Sequence, residues 1–155
     1  YVIFDIGGTN TRVAKSEDLK SFAEPVKFET PARYKEGIKA LVEAIKEVSK
    51  GSEVRAIAGG IRGTLSEDKE MLVREDVLSD WVEKPLSADL RKEFSVEVTL
   101  ENDAAVVGLG EAHFGAGQGA EIVVYHTVST GVGGGKIEEG EIDDYSPGFE
   151  PGHQI

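Results

Sequence analysis

Residues 2–14, VIFDIGGTNTRVA, decide how the start of this chain folds. The apolar runs on either side of the glycines predict two strands, so residues 7–10 form a tight turn and the whole stretch is a β-hairpin. Gly7 and Gly8 let another group come close to the backbone N–H groups, which suits an oxyanion. Asp5 precedes the turn, and its carboxylate would repel a phosphate unless a cation such as Mg²⁺ lay between them. The stretch therefore indicates a metal–nucleotide site, although an ordinary glycine-rich hairpin has the same pattern.

The composition of the 155 residues limits the classes of function. Lys and Arg number 17 against 29 Asp and Glu, so the net charge is -12, and the basic residues form no run. We therefore expect no nucleic-acid partner. The longest apolar runs are too short to cross a bilayer, so we expect no membrane role either. Cysteine is absent, which fits a cytoplasmic location and leaves these residues without a cysteine-ligated metal.

Beyond the hairpin, strands and helices alternate, which is typical of an α/β fold. Residues 25–30 predict a third strand, and residues 33–51 predict a helix with Gly51 at its C-cap. Residues 53–63 predict a strand that runs into a glycine-rich loop. A hairpin-like segment, a short helix that begins near Pro85, another strand and a helix rich in small residues follow.

The order of strand, phosphate-type turn and strand occurs a second time near the end of the chain. Residues 115–121 are glycine-rich and predict a joint. The repeated order then predicts two copies of one architecture, with a first domain over residues 1–116 and the truncated start of a second copy over residues 117–155. The acidic run at residues 138–144 is most simply a solvated hairpin without a function of its own.

Residues 100–105, LENDAA, place polar side chains where a predicted strand ends and a helix begins. Ligands of α/β sheets usually bind at the carboxyl ends of the strands, so Asn102 and Asp103 could both reach a bound molecule. Asp103 could equally be the N-cap of the following helix, because Asn and Asp are preferred there. The sequence leaves the choice between cap and catalyst open.

Two further segments carry candidate ligand groups. Residues 129–135, STGVGGG, offer hydroxyls followed by backbone N–H donors that suit a phosphate, although they match neither a P-loop nor a Rossmann fingerprint. In EPGH, Glu150 and His153 could bind vicinal hydroxyls of a sugar, or His153 could ligate a metal. An ordinary surface loop explains this isolated pair as well.

Four motifs, in this order, closely resemble the sugar kinases of the ROK (repressor, ORF, kinase) family: DIGGTNTRVA, LENDAAVVGLGE, STGVGGG and EPGH. The resemblance covers nearly the whole chain. It implies an α/β fold of the ribonuclease-H-like (actin-like ATPase) type, in which two such domains surround a cleft. It also implies ATP-dependent phosphorylation of the 6-hydroxyl of a hexose, most like a glucokinase, in a protein that is often a homodimer.

The resemblance further implies a role for each candidate residue. Asp103 would bind the sugar and act as the general base that takes the proton from its 6-hydroxyl. Asp5 would hold Mg²⁺ through water, and His153 is a candidate ligand of a structural Zn²⁺. The residues that would bind sugar hydroxyls are Gly60, Asn102, Glu150 and His153. The residues that would bind the ATP phosphates are Gly7, Gly8, Thr9, Thr130 and Gly131.

The chain departs from the family pattern at two loops that border the sugar in relatives. Arg62 stands where relatives usually have Pro in a GIPG loop, and residues 77–81 read VLSDW instead of NLPGW. The identity of the hexose therefore stays open. The family's cysteine-bearing zinc motif and most of its adenosine site would follow residue 155, so we expect this chain alone to bind ATP poorly. The alternatives are a non-catalytic sugar-sensing regulator or transcriptional repressor and a sugar-binding half-domain.

Overall fold

The computed structural model describes residues 1–128 and 132–143, and the chain groups into two compact units. The first unit is Tyr1–Glu101, and the second begins at Asn102. The predicted boundary lay after residue 116, so the two divisions differ by the helix Asp103–Phe114. This helix is grouped with the later residues because it packs against the strands that follow it. The predicted domain limits stay a prediction.

The first unit is built on one five-stranded sheet. Its elements in chain order are β1 (Val2–Ile6), β2 (Asn10–Lys15), β3 (Val26–Glu29), α1 (Tyr34–Ser49), β4 (Ala56–Ile61), β5 (Thr64–Leu65), β6 (Leu72–Arg74), a 3₁₀ helix (Ser79–Trp81), α2 (Leu86–Phe94) and β7 (Glu97–Asn102), whose last residue opens the second unit. The sheet has the order β3-β2-β1-β4-β7, with β1 antiparallel to β2 and parallel to β4. β5 and β6 form a separate antiparallel hairpin. The structure confirms the predicted hairpin as β1–β2, the third strand as β3, the two helices as α1 and α2, and the strand before residue 103 as β7.

The core of the first unit follows from the periodicity of its elements. Every second residue of β1 is buried, as a half-buried strand requires, and the apolar stripe of α1 lies against β1 and β2. Each fully buried large aliphatic side chain contributes roughly 1.5–3 kcal/mol to stability. The core comprises Val2, Phe4, Ile6, Val13, Tyr34, Leu41, Ala44, Ile45, Ile57, Ile61, Leu72, Leu78, Trp81, Leu86, Leu90, Val98 and Leu100.

The VLSDW segment contributes Leu78 and Trp81 to this core. Asp80 Oδ2 accepts a hydrogen bond of 2.8 Å from the backbone N–H of Tyr34 and so satisfies a donor at the start of α1. Trp81 is buried and meets the Tyr34 ring edge to face at 5.4 Å between centroids. A Cβ on Gly37 would lie 2.0 Å from the Trp81 ring, so the glycine makes room for it. α1 ends at Ser49, and its C-cap is Lys50, in the left-handed conformation with φ of +49°, one residue before the predicted C-cap at Gly51.

The second unit consists, in its described part, of one helix on one small sheet. Its elements are α3 (Asp103–Phe114), β8 (Ile122–Val128), β9 (Val132–Glu138) and β10 (Glu141–Ile142), and the sheet order is β10-β9-β8 with antiparallel neighbours. Small residues let α3 approach the sheet: a Cβ on Gly135 would lie 2.8 Å from Ala105 Cα. The predicted acidic hairpin is confirmed as β9–β10.

The glycine-rich turn predicted over residues 130–135 is corrected in part. Gly133, Gly134 and Gly135 belong to β9 and pair with β8, so they form a strand and not a turn. Residues 129–131 lie outside the described residues. Within residues 1–128 and 132–143, no helix is long and apolar enough to cross a membrane.

Candidate functional site

The turn between β1 and β2 is fixed by hydrogen bonds among its own residues and with Thr30, the residue after β3. Gly7 N–H donates to the carbonyl of Asn10 at 3.0 Å, and Thr30 N–H donates to the carbonyl of Thr9 at 2.9 Å. The Thr30 hydroxyl donates to the carbonyl of Gly7 at 2.8 Å and lies 2.9 Å from the hydroxyl of Thr11. The shape of the turn is thus set before any ligand binds. The N–H of Gly7 closes the turn and is engaged there.

The donors that the turn offers are those of Gly8 and Thr9. Within residues 1–128 and 132–143, neither backbone N–H has a hydrogen-bond acceptor. Thr9 is exposed and Gly8 partly so, and adjacent N–H groups at a turn form a small concave site for an anion. Gly8 and Thr9 therefore have backbone N–H groups available for the predicted phosphate contact. The N–H of Gly7 is used within the turn and stabilises its conformation.

Asp5 lies at the start of the turn, paired with Arg12 of β2 and with Gly60 of β4. Arg12 Nη1 donates to Asp5 Oδ2 at 2.8 Å, and both side chains are about half exposed. Exposed ion pairs are weak, so this carboxylate can exchange its partner for another cation. Mg²⁺ is usually held by one or two carboxylates together with phosphates and water, and a single carboxylate beside an anion turn fits that donor set. The described part of the chain has no group of three or more His, Cys, Asp or Glu residues that could hold a metal by itself.

Gly60 was predicted to lie in a glycine-rich loop, and this placement was wrong. Gly59 and Gly60 are both buried inside β4, and the loop begins only at Arg62. The reason is packing: a Cβ on Gly59 would lie 2.1 Å from a ring carbon of Phe4, so the glycine is needed in the strand. The role of Gly60 at the sugar stays a prediction.

Asn102 and Asp103 lie where β7 meets α3, and the structure decides which of them is the cap. Asn102 Oδ1 accepts a hydrogen bond of 3.1 Å from the N–H of Ala105, the third residue of α3, as an N-cap does. Asp103 is the first helical residue, and its Oδ1 accepts from the N–H of Ala104 at 2.8 Å. The interpretation of Asp103 as the N-cap is therefore wrong. Its carboxylate lies in the first helical turn, where negative charge is stabilised.

Four predicted site residues, Thr130, Gly131, Glu150 and His153, lie outside the described residues, so their roles stay predictions. Zn²⁺ at His153 stays a prediction for the same reason. The contact between Arg62 and the glycine turn was not predicted: a Cβ on Gly8 would lie 2.7 Å from Arg62 Nη1. The only signal for it was the departure from Pro at this position.

Known proteins are similar to this chain in both sequence and fold. A glucokinase of Thermotoga maritima is 36% identical over 138 residues, which are 88% of this chain and 44% of that protein. The crystal structure of a ROK family glucokinase from Streptomyces griseus, in complex with glucose and AMPPNP, has a TM-score of 0.82 at 29% identity and covers 92% of this chain and 45% of its own. The crystal structure of the ROK hexokinase from Thermus thermophilus has a TM-score of 0.83 at 32% identity, and the match covers 99% of this chain and 52% of the hexokinase chain.

The chain thus spans about half the length of these relatives or less. A ROK family transcriptional regulator, a homologue of the E. coli MLC protein, has a TM-score of 0.79 at 18% identity, which shows a shared fold alone.

The solved relatives confirm the predicted ribonuclease-H-like (actin-like ATPase) α/β fold. The family match extends over residues 1–154 and so includes the glycine turn, Arg62 and the start of α3. With the sequence match, the fold and the order of the motifs in agreement, the chain belongs to the ROK family.

Proposed function

We propose that this chain is the part of an ATP-dependent sugar kinase that carries a phosphate-binding turn and the catalytic base. The observation that carries the proposal is the glycine turn, where the N–H groups of Gly8 and Thr9 have no acceptor among the described residues and the exposed carboxylate of Asp5 precedes the turn on β1. A site of this kind suits a phosphate accompanied by a cation. The glucokinase of Streptomyces griseus, which has the same fold, was solved with glucose and AMPPNP, and this supports a hexose and ATP as the two substrates.

The proposed reaction moves the γ-phosphoryl group of ATP to the 6-hydroxyl of a hexose. The hydroxyl oxygen forms a bond to the γ-phosphorus, the bond from that phosphorus to the oxygen bridging the β- and γ-phosphates breaks, and ADP leaves. Asp103 accepts the proton of the hydroxyl, because a carboxylate near the attacking oxygen is a suitable general base. Asp5 would hold Mg²⁺, which would supply neutralisation of the phosphate charge. Asn102, whose Oδ1 caps α3, holds the neighbouring Asp103 at the start of the helix.

The finer assignments are proposals as well. Gly60, Asn102, Glu150 and His153 are proposed to contact sugar hydroxyls, and such contacts discriminate strongly because a sugar that lacks one leaves a buried polar group unpaired. Thr130 and Gly131 are proposed as a second phosphate contact. Glucose is the first sugar to try, because the glucokinase of Thermotoga maritima is 36% identical to this chain. Zn²⁺, a homodimer and the cytoplasm stay predictions.

The test is a coupled ADP-release assay of the full-length gene product with Mg-ATP and a panel of hexoses. We expect turnover with at least one sugar, and a fall of roughly 10²- to 10⁴-fold in Asp103→Asn, which removes the base and keeps the shape. The dissociation constant of the sugar, measured by calorimetry, should change little. Asp18→Asn is the matched control, because Asp18 is exposed in the connection between β2 and β3.

Two results would contradict the proposal in different ways. Sugar binding without turnover in the wild-type protein would favour the non-catalytic sugar-sensing regulator. Full turnover in Asp103→Asn would leave a kinase but remove Asp103 as its base.

A further inference from the structure

Arg62 follows β4 directly, and its side chain crosses the glycine turn. The backbone N–H of Arg62 donates to the carbonyl of Ile6 at 3.1 Å, which ties the end of β4 to the start of the turn. A Cβ on Gly8 would lie 2.7 Å from Arg62 Nη1 and 3.3 Å from Arg62 Cδ. The arginine therefore occupies the space that a side chain at position 8 would need, and its guanidinium lies against the turn.

Glu75 holds the other edge of this guanidinium. Arg62 Nε lies 3.0 Å from Glu75 Oε1, and the Glu75 side chain is only 6% exposed, against 38% for Arg62. Glu75 Oε1 also accepts a hydrogen bond of 2.8 Å from the N–H of Val77. A buried carboxylate is stable only when it is paired in this way, so Glu75 and Arg62 fix each other's position.

The pairing leaves the guanidinium with further capacity on the side of the turn. Within the described residues, the buried Nε has no acceptor in hydrogen-bond alignment, so the contact with Glu75 is an ion pair and not a bidentate fork. A guanidinium has five N–H donors in one plane, and its geometry matches the oxygens of a phosphate. Nη1 is the end that lies at Gly8.

The surroundings of this donor favour an anion. Arg62 Nη1 lies at Gly8, whose backbone N–H, like that of Thr9, has no acceptor among the described residues, and Val77 Cγ1 would lie 3.1 Å from a Cβ on Gly8. Because the chain as a whole has a charge of -12, attraction for a phosphate has to come from local cations such as this one.

We propose that Arg62 binds the phosphoryl group at the glycine turn, with Glu75 as its positioning residue. The phosphoryl group has two sources, the γ-phosphate of ATP and the phosphate of the hexose product. The inference rests on the proposed kinase function and deepens it.

The experiment measures the affinity of the full-length gene product for three phosphate ligands, AMPPNP, ADP and hexose 6-phosphate, and for the free hexose, by calorimetry. In Arg62→Gln we expect AMPPNP to bind about 10- to 100-fold more weakly, with ADP within about twofold of wild type, if the γ-phosphate is the ligand. Weaker binding of hexose 6-phosphate with unchanged binding of both nucleotides identifies the product phosphate instead. Arg62→Lys should recover part of the affinity. Arg55→Gln removes a positive charge at the opposite, exposed end of β4 and should change nothing.

A second variant separates position from charge. Gly8→Ala keeps the guanidinium but places a Cβ 2.7 Å from Nη1, so it should weaken the same ligand as Arg62→Gln. Thermal unfolding of each variant identifies loss of folding. Unchanged affinity for all three ligands in Arg62→Gln would overturn the inference, and so would an equal loss for ADP and AMPPNP or a loss confined to the free sugar. If the wild-type protein itself bound no nucleotide, the proposed kinase function would be contradicted together with the inference about Arg62.

Discussion

Gly59 shows how a single missing side chain fixes the centre of the sheet. It lies in β4 beside Phe4 of β1, and a Cβ there would lie 2.1 to 2.3 Å from three ring carbons of Phe4. Both residues are buried, so neither can move away into solvent. We expect Gly59→Ala to lower the free energy of unfolding by roughly 1–3 kcal/mol, the usual range for overpacking a core. Urea denaturation followed by circular dichroism measures this change.

The matched control for this prediction is a double variant. Phe4→Leu removes the ring that the new methyl group would strike, so Gly59→Ala should be better tolerated in the Phe4→Leu background than in the wild type. The two changes should therefore be non-additive, as expected for residues in contact. Strict additivity would contradict the overlap.

At the scale of single residues, the sequence predicted which side chains carry chemistry better than how they are used. Asn102 and Asp103 were both identified, yet either could have been the cap, because Asn and Asp are equally good N-caps. The contact of Arg62 with Gly8 joins residues far apart in the sequence, and no local pattern contains it. Propensity and spacing describe neighbours along the chain, so such contacts appear only when the strands are paired.

At the scale of elements, the predictions succeed where the periodicity is long and fail where glycine was taken as a loop signal. α1 has sixteen residues with a continuous apolar stripe, and it was predicted almost to the residue. Gly59–Gly60 and Gly133–Gly135 were assigned to loops but lie in β4 and β9. A glycine in the sequence indicates a turn only when no neighbouring strand or side chain needs the space that a Cβ would occupy. That need is set by tertiary packing, which local sequence does not show.

A phenol at the start of α1 joins this helix to α2. Tyr34, the first residue of α1, donates its hydroxyl hydrogen to Asp89 Oδ2 of α2 at 2.7 Å. Burial and this hydrogen bond to Asp89 raise the pKa of Tyr34 well above the ordinary value near 10. Above about pH 10 the unfolded chain therefore releases a proton that the folded chain retains, so the free energy of unfolding falls as the pH rises.

Tyr34→Phe should abolish this pH dependence. At pH 7 the variant should be less stable than wild type by about 1–2 kcal/mol, because the hydrogen bond to a charged acceptor is lost. Between about pH 10 and 11.5 the difference should shrink by up to about 1.4 kcal/mol per pH unit. Urea denaturation at a series of pH values measures both effects. Asp89→Asn keeps a hydrogen-bond acceptor without the charge, so the free energy of unfolding should fall over a narrower pH range than in the wild type. If the free energies of unfolding of wild type and Tyr34→Phe changed in parallel with pH, the linkage to Tyr34 would be disproved.

At the scale of the whole molecule, apolar burial is divided unequally between the two units. Every member of the large core cluster lies between Val2 and Leu100. In the described part of the second unit, the buried apolar side chains are Ala104, Ala105 and Ile137, while larger ones are exposed, namely Val106, Val107, Phe114, Ile122, Val124, Val128 and Val132. Stability of a unit follows the apolar area that it buries, so the two units should differ in their ability to fold alone.

We therefore expect a fragment of residues 1–102 to fold on its own and a fragment of residues 102–155 to remain without a cooperative transition. The first fragment keeps all of β7 and the whole core, including the single tryptophan, Trp81, which is 3% exposed and reports on core packing by fluorescence. Its urea unfolding should be one sigmoidal step in which Trp81 fluorescence and circular dichroism coincide, as for a two-state domain. Non-coincident or gradual curves for residues 1–102 would mean that this core is insufficient and that the remaining chain contributes to its stability.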